Sequence, residues 1–390
     1  MKLAVLATHP IQYQVPFFKA LGQHPEINLE VFFCHDASAK EQAQAGFGVE
    51  FNWDRLALEG FEYRFLKNVS ASPSIHSFNG LDNPEFKQII AEDRFDAVMV
   101  NGWNYRSAWQ AIRKCWKTQT PIMVRSDSHL LTDRSWSRRT MKWPLYRWFI
   151  PRLDACLPVG TLSTQYFRHY GASEKKVFVV PHSIDDDHFS SQAKALRPVR
   201  NELRHSFGLH DEAIAFLFAG KFIESKGPIT FVRAVEKAAR DNPKIVGLMV
   251  GDGPLRAEIE TFIKTTNAPV RLVGFLNQSE IVRSYVAADA LVLPSNGETW
   301  GLVVNEAMTC GLPCIVSDKV GCGPDLIRDE TGAVFPLDDP DALAALIVKW
   351  SNEPETIAGM GKAAGKLMAS YSVERAVQLL VQAVHRVQAE

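Results

Sequence analysis

Glu298 and Glu306 stand eight positions apart in the segment Pro294-Ser-Asn-Gly-Glu298-Thr-Trp300-Gly301-Leu302-Val-Val-Asn-Glu306-Ala-Met-Thr-Cys-Gly311-Leu312-Pro313. A strand is expected to end at Pro294. A polar, glycine-containing loop follows, and a helix runs from near Gly301 or Leu302 to the Gly-Leu-Pro stop. Glu298 then lies in the loop, and Glu306 about one turn into the helix. The two carboxylates bracket a helix N-terminus, whose free amides bind anions such as phosphate. Each carboxylate accepts several hydrogen bonds and so suits the paired hydroxyls of a sugar or ribose. The competing reading makes Glu298 a helix cap and Glu306 a solvated acid.

Lys221 and Lys226 flank a second loop, which opens at Gly220 and closes at Gly227-Pro228. Two ammonium groups at the carboxyl end of a parallel sheet offset a diphosphate without a metal. The alternative is a pair of surface lysines. A third strand-to-helix turn, Val250-Gly251-Asp252-Gly253-Pro254, either lets the backbone approach a ligand closely or is a plain structural turn. Phe275 and Leu276 follow a further strand, where a nucleobase can lie against the ring. A core phenylalanine is the alternative there.

The elements that must position these residues read as alternating strands and helices. Short apolar runs at 3–7, 29–33, 97–100, 122–125, 155–157 and 177–180 form one series, and runs at 214–218, 245–250, 270–273, 290–293, 314–316 and 333–335 form another. Continuous apolar runs bounded by turn residues suit parallel strands buried on both faces. Amphipathic segments between them give repeated βαβ units and an α/β class with two doubly wound domains. The boundary is expected within 181–198, which holds two prolines, the Asp185-Asp186-Asp187 triplet and a serine pair. The segment 373–388 reads as an amphipathic helix able to pack on either domain.

Gly-Lys-x4-Lys-Gly, Gly-Asp-Gly-Pro, Gly-Phe-Leu and Glu-x7-Glu occur here in the order and spacing of the retaining family 4 glycosyltransferases, and 214–335 resembles that family closely. The resemblance implies the GT-B architecture, two Rossmann-like domains facing across a cleft. It assigns 1–190 to the acceptor, with the helix at 373–390 packing back on it, and 196–370 to the nucleotide sugar. By resemblance, Glu298 meets the transferred sugar and Glu306 the ribose. The amides around Trp300, Gly301 and Leu302 meet the diphosphate, as do Lys221 and Lys226. The family usually has Arg at the Lys221 position and Phe at the Trp300 position. Lysine keeps the charge but loses the bidentate fork, so the diphosphate is held differently. A metal-independent, hexosyltransferase-type enzyme is implied, with no cofactor beyond a UDP-, GDP- or ADP-linked donor.

In the first half, the first strand runs into Thr8-His9-Pro10-Ile11-Gln12-Tyr13-Gln14, similar to a subgroup with an Ile-Gln-Tyr-Gln segment. His9, Gln12 and Tyr13 are therefore expected on the acceptor side, with a structural turn as the alternative for His9. Relatives place a histidine or an acid after the strand that here ends at Arg125. Asp127 and His129 are both candidates, and a helix cap or surface group is the alternative for each. Trp103, in Asn101-Gly102-Trp103-Asn104, is a further acceptor-side candidate. The stretch 134–152 holds six basic residues, five aromatic ones and no acid. It reads as an anionic membrane-docking surface or as a core helix with basic rims.

The chain has 390 residues, 43 basic and 44 acidic, with a formal net charge of −1. That length suits two domains, and that balance argues against nucleic acid as a partner. Cys310, Cys314 and Cys322 could suggest a metal site, but the six cysteines are scattered with no Cys-x-x-Cys pair and read better as small buried residues, so no metal is expected. The opening apolar run stops at Thr8, too soon for a signal peptide. A cytoplasmic protein, peripheral at the inner face of the membrane, is the expectation. Transfer of a sugar to a glycan, a lipid-linked or a small-molecule acceptor is the implied activity. The alternatives are a nucleotide-sugar epimerase and a non-catalytic nucleotide-sugar-binding protein. A plain dehydrogenase is disfavoured, because no Gly-x-Gly-x-x-Gly follows the first strand.

Overall fold

The computed structural model describes residues 1–36, 57–131 and 136–389, without the side chains of 136–139. The described residues form two compact bodies, one from 1–36, 57–184 and 371–389, the other Asp185–Ser370.

The first body holds six parallel strands: β1 (Lys2–Ala7), β2 (Asn28–Phe33), β3 (Glu62–Phe65), β4 (Ala97–Asn101), β5 (Ile122–Ser126) and β6 (Ala155–Pro158). They lie in the order β3-β2-β1-β4-β5-β6. Leu3 to Ala7 are all fully buried, because helices cover both faces of the sheet. One face packs Phe32, Phe86, Trp109, Phe149 and Phe167. The other packs Phe17, Phe18 and Met99 against Leu380, Val381 and Val384 of the C-terminal helix Val373–Ala389.

Two expectations fail here. Residues 62–65 were not expected as a strand, since charged and aromatic residues alternate there and every residue is exposed, as an edge position allows. Residues 177–180 were expected as a strand but make a single bridge, Val177 to Cys156. Main-chain bonds from Phe178 to Cys156 and from Val180 to Pro158 steer this segment without building a ladder.

The second body repeats the plan with β7 (Ile214–Ala219), β8 (Ile245–Val250), β9 (Val270–Gly274), β10 (Ala290–Leu293), β11 (Cys314–Ser317) and β12 (Gly332–Phe335), ordered β12-β11-β10-β7-β8-β9. Phe216, Phe231, Met249, Leu343 and Trp350 fill one core. The acidic triplet Asp185-Asp186-Asp187 opens the helix Asp186–Leu196. The Asp185 side chain accepts a hydrogen bond from the His188 amide, and Phe189 is buried.

The C-terminal helix supplies part of the core on one face of the first sheet, so its apolar stripe is a stability determinant. Leu380→Ala should lower the unfolding free energy of the first body by about 2–5 kcal/mol. Chemical denaturation followed by a probe in that body checks this; an unchanged midpoint would show the helix to be dispensable.

Candidate functional site

The carboxyl ends of β7 and β10 bring Lys221, Lys226 and Glu298 together. After β7 the chain makes a turn at Glu224–Lys226, and Gly227 follows at φ 65 before Pro228 opens the helix Pro228–Asp241. A side chain at Gly227 would collide with the Pro294 carbonyl, so glycine is what lets this turn lie against the β10 loop. The Asn296 amide donates to the Ser225 carbonyl at 2.8 Å and laces the two loops. Gly251 approaches Gly220 so closely that a Cβ would meet the Gly220 carbonyl. These two glycines therefore pack on each other.

Within this frame Lys226 Nζ donates to the Glu298 carboxylate. Burial lowers the Lys221 ammonium from its usual range. Lys226 pushes it the same way, and Glu298 opposes both. Lys221, Lys226 and Glu298 thus form one electrostatic group. The Glu298 main chain is fixed independently: its carbonyl accepts from the Gly321 amide at 3.0 Å. Gly301, at φ 104, turns the chain into the helix Leu302–Thr309. The Trp300 ring is buried, and its indole N–H donates to Asn305 Oδ1 at 2.9 Å. The larger ring is therefore accommodated at the base of the helix.

Glu306 sits on that helix. The Tyr285 hydroxyl donates to Glu306 Oε2 at 2.6 Å. Burial pushes the Glu306 carboxyl up to about 7, against the pull of the Tyr285 bond. Tyr285, fully buried on the helix Gln278–Ala287, was not anticipated. Phe275 and Leu276 are half-buried just past β9.

In the first body a cavity of about 280 Å³ opens at the carboxyl ends of the strands, lined among others by Tyr13, Gln14, Asn101, Arg125, Asp127 and His182. His182 Nε2 lies 4.0 Å from Asp127 Oδ2, and the Tyr13 ring meets the His182 ring edge-on at 5.4 Å. Burial lowers His182 from its usual range, and the nearby Asp127 carboxylate opposes this. Burial and the Asp127 charge raise Tyr13.

The cavity separates several candidates. Asp127 lines it. His129 does not: it is buried, and its Nδ1 accepts from the Leu131 amide at 3.2 Å. His9 Nδ1 and Thr8 Oγ1 are paired at 3.0 Å, and Gln12 is half-buried; neither His9 nor Gln12 lines the cavity. Trp103 is a correction. Its side chain is 3% exposed and packs among Tyr146, Phe149 and Phe167 in the core, while Asn101, Gly102 and Asn104 of the same loop line the cavity. Arg125 and His182 were not proposed as site residues. The available signal was an arginine closing an otherwise apolar strand.

The stretch 134–152 is also divided. Residues 134 and 135 and the side chains of 136–139 lie outside the described part. Tyr146 and Phe149 are core residues, whereas Met141, Trp143, Leu145 and Trp148 are exposed.

The raised Glu306 carboxyl has a consequence for stability. The folded chain holds this proton more tightly than the unfolded chain, whose carboxyl releases it near 4.5. Stability therefore falls as pH rises from about 4.5 to about 7 and levels off above that. Glu306→Gln should remove this part of the pH dependence in denaturation series run across the window. An identical slope in the variant would disprove the assignment.

Known proteins bear on these two bodies. The family described as "Glycosyl transferases group 1" matches residues 199–367, and "Glycosyltransferase Family 4" matches residues 31–188. A D-inositol 3-phosphate glycosyltransferase of Thermomonospora curvata is 31% identical over 197 residues, covering 47% of this chain and 46% of that protein. Its counterpart in Actinosynnema mirum is 34% identical over 179 residues, 41% of this chain and 39% of that one. The chain thus spans less than half the length of these curated relatives. Two solved structures share the fold. HepE of Anabaena, in complex with UDP and glucose, gives a TM-score of 0.71 at 15% identity over 98% of each chain. Sucrose-phosphate synthase of Thermosynechococcus elongatus gives 0.72 at 20% identity, covering 100% of this chain and 99% of that one. With two glycosyltransferase families matched in succession and a two-domain Rossmann-like GT-B fold, the chain belongs to the family 4-like glycosyltransferases.

Proposed function

We propose that this protein transfers a hexosyl group from a nucleotide-diphosphate donor to an acceptor hydroxyl, with retention at the anomeric carbon and without a metal. The observation that carries the reading is the group formed by Lys221, Lys226 and Glu298 beside the N-terminus of the helix that bears Glu306. In this reading the diphosphate lies against the two ammonium groups and the amides of Gly301 and Leu302. Glu306 accepts from the ribose hydroxyls and Glu298 from the transferred sugar. The acceptor oxygen attacks the anomeric carbon, and the bond to the diphosphate breaks. Its electron pair stays on the leaving oxygen, which takes the acceptor's proton. Lys221 and Lys226 stabilise the charge that develops there. UDP-sugars are the first donors to try, since HepE is described in complex with UDP-glucose.

A thermal-shift screen over UDP-, GDP- and ADP-sugars tests donor binding, because a bound ligand raises the melting point by mass action. Lys226→Ala should weaken the binding of the matching nucleotide about 10- to 100-fold, the loss expected for one charge-assisted hydrogen bond. No shift with any donor would refute the reading. Isomerisation of the donor without acceptor would identify an epimerase, and binding without transfer to any acceptor a non-catalytic protein.

Docking on an anionic membrane, peripheral at the cytoplasmic face, belongs to the same proposal. No described helix is long and apolar enough to cross a membrane. Its support is a groove of about 670 Å³ on the helix Arg106–Thr118, lined by Lys87, Arg113, Lys114, Lys117 and the exposed Leu145. Cations beside exposed aliphatic and aromatic groups suit a negatively charged interface. Sedimentation with vesicles should show binding that requires anionic lipid and drops at least about 30-fold in Lys114→Glu/Lys117→Glu, at about 1 kcal/mol per basic residue. Equal pelleting with neutral vesicles would remove the electrostatic component.

A further inference from the structure

Glu298 and Glu306 are held in different ways. Glu298 is bonded by an ammonium group, Lys226, which offsets its charge. Glu306 is half-buried, so part of it stays open to a ligand. Among the described residues its carboxylate takes one hydrogen bond, from the Tyr285 hydroxyl to Oε2 at 2.6 Å, and no lysine or arginine pairs with it. A phenol is a neutral donor. It fixes one carboxylate oxygen and leaves the negative charge for whatever the other oxygen meets.

Tyr285 is itself firmly built in. Its side chain is fully buried, and its ring lies 6.3 Å from that of Phe189. Two arginines grip the last turn of its helix, Gln278–Ala287: Arg200 Nε donates to the Val286 carbonyl at 2.9 Å, and Arg204 Nη1 to the Ala287 carbonyl at 2.8 Å. Both pair with Asp289, at 2.6 and 3.3 Å. Asp289 in turn accepts from the Ala215 amide of β7 at 2.7 Å. The phenol is thereby anchored to the sheet through its helix. A free glutamate side chain is flexible, and ordering it costs entropy when a ligand binds. An anchored donor meets that cost in advance. The same bond opposes the upward push of burial on the Glu306 carboxyl, which favours the ionised form that accepts hydrogen bonds.

We infer that Tyr285 is a positioning residue for nucleoside recognition: by holding Glu306 Oε2 it sets the carboxylate to accept from ribose, and the preference for ribose over a sugar lacking those hydroxyls comes through this bond. The inference rests on the reading in which Glu306 meets the ribose, and adds what makes that contact selective.

The test is calorimetric titration of the full chain with UDP, GDP and ADP and with the 2′,3′-dideoxy form of each. The ribose form that binds best should exceed its dideoxy partner by at least about tenfold. Tyr285→Phe keeps the ring and removes only the hydroxyl. It should cut this preference at least about fivefold through weaker ribose binding, while dideoxy affinity stays within about twofold and reports an intact site. In a Glu306→Ala background, Tyr285→Phe should change the preference no further. An unchanged preference in Tyr285→Phe would overturn the inference. So would equal weakening of both forms, the mark of a merely structural role, or an effect of Tyr285→Phe that persists once Glu306 is alanine. Binding of none of the three ribose forms, no ribose preference in the unaltered protein, or a full preference retained in Glu306→Ala would instead sink the reading beneath it.

Discussion

Two ammonium groups at the end of one parallel sheet repel each other, and burial makes the Lys221 ammonium harder to keep charged. Glu298 is what allows Lys221 and Lys226 to share that edge: it bonds one and supports the charge of the other. The carboxylate needs a firm position to do this, and its main chain is tied to Gly321. In the proposed reaction a diphosphate supplies further negative charge to the same group. The lysines need only redistribute their contacts when a ligand arrives, so little reorganisation is required.

The backbone around this group is compact because its closest approaches occur at glycines. Gly227 against Pro294 and Gly251 against Gly220 are contacts that a Cβ would prevent. The lacing of Asn296 to Ser225 then makes the loops after β7 and β10 a single unit. Residues far apart in the chain, Lys226 and Glu298, meet because the strands ahead of them are adjacent in the sheet. The first body works differently. Its cavity is lined by Asn101, Gln14 and Arg125 together with Asp127 and His182.

Much of this was legible in the sequence where local chemistry decides. Continuous apolar runs such as 3–7 and 245–250 identify buried parallel strands, and the Gly-Lys and Gly-Leu-Pro punctuation locates the loops that carry Lys221 and Glu298. Where the outcome depends on an element's rotation or its place in the sheet, the sequence was silent or misleading. The strand 62–65 is an exposed edge and carries no apolar signature. Trp103 follows a strand end, where a ring can line a site, yet the loop turns it into the aromatic core. Tyr285 reaches Glu306 from another helix, 21 residues away, and His182 reaches Asp127 across 55 residues. Neither spacing has a periodic signature. The three candidates Asp127, His129 and His9 differ in the structure only by which way short loops point.

The return of the C-terminal helix to the first sheet makes the second body an insertion within the first. Residues 185–370 are synthesised in full before Leu380 and Val384 exist. During translation the second body can therefore close its core while the first still exposes the sheet face that those side chains will cover. A nascent chain stalled near residue 370 would pair a finished second body with an unfinished first one. The sheet face closes only once Leu380 and Val384 have been made.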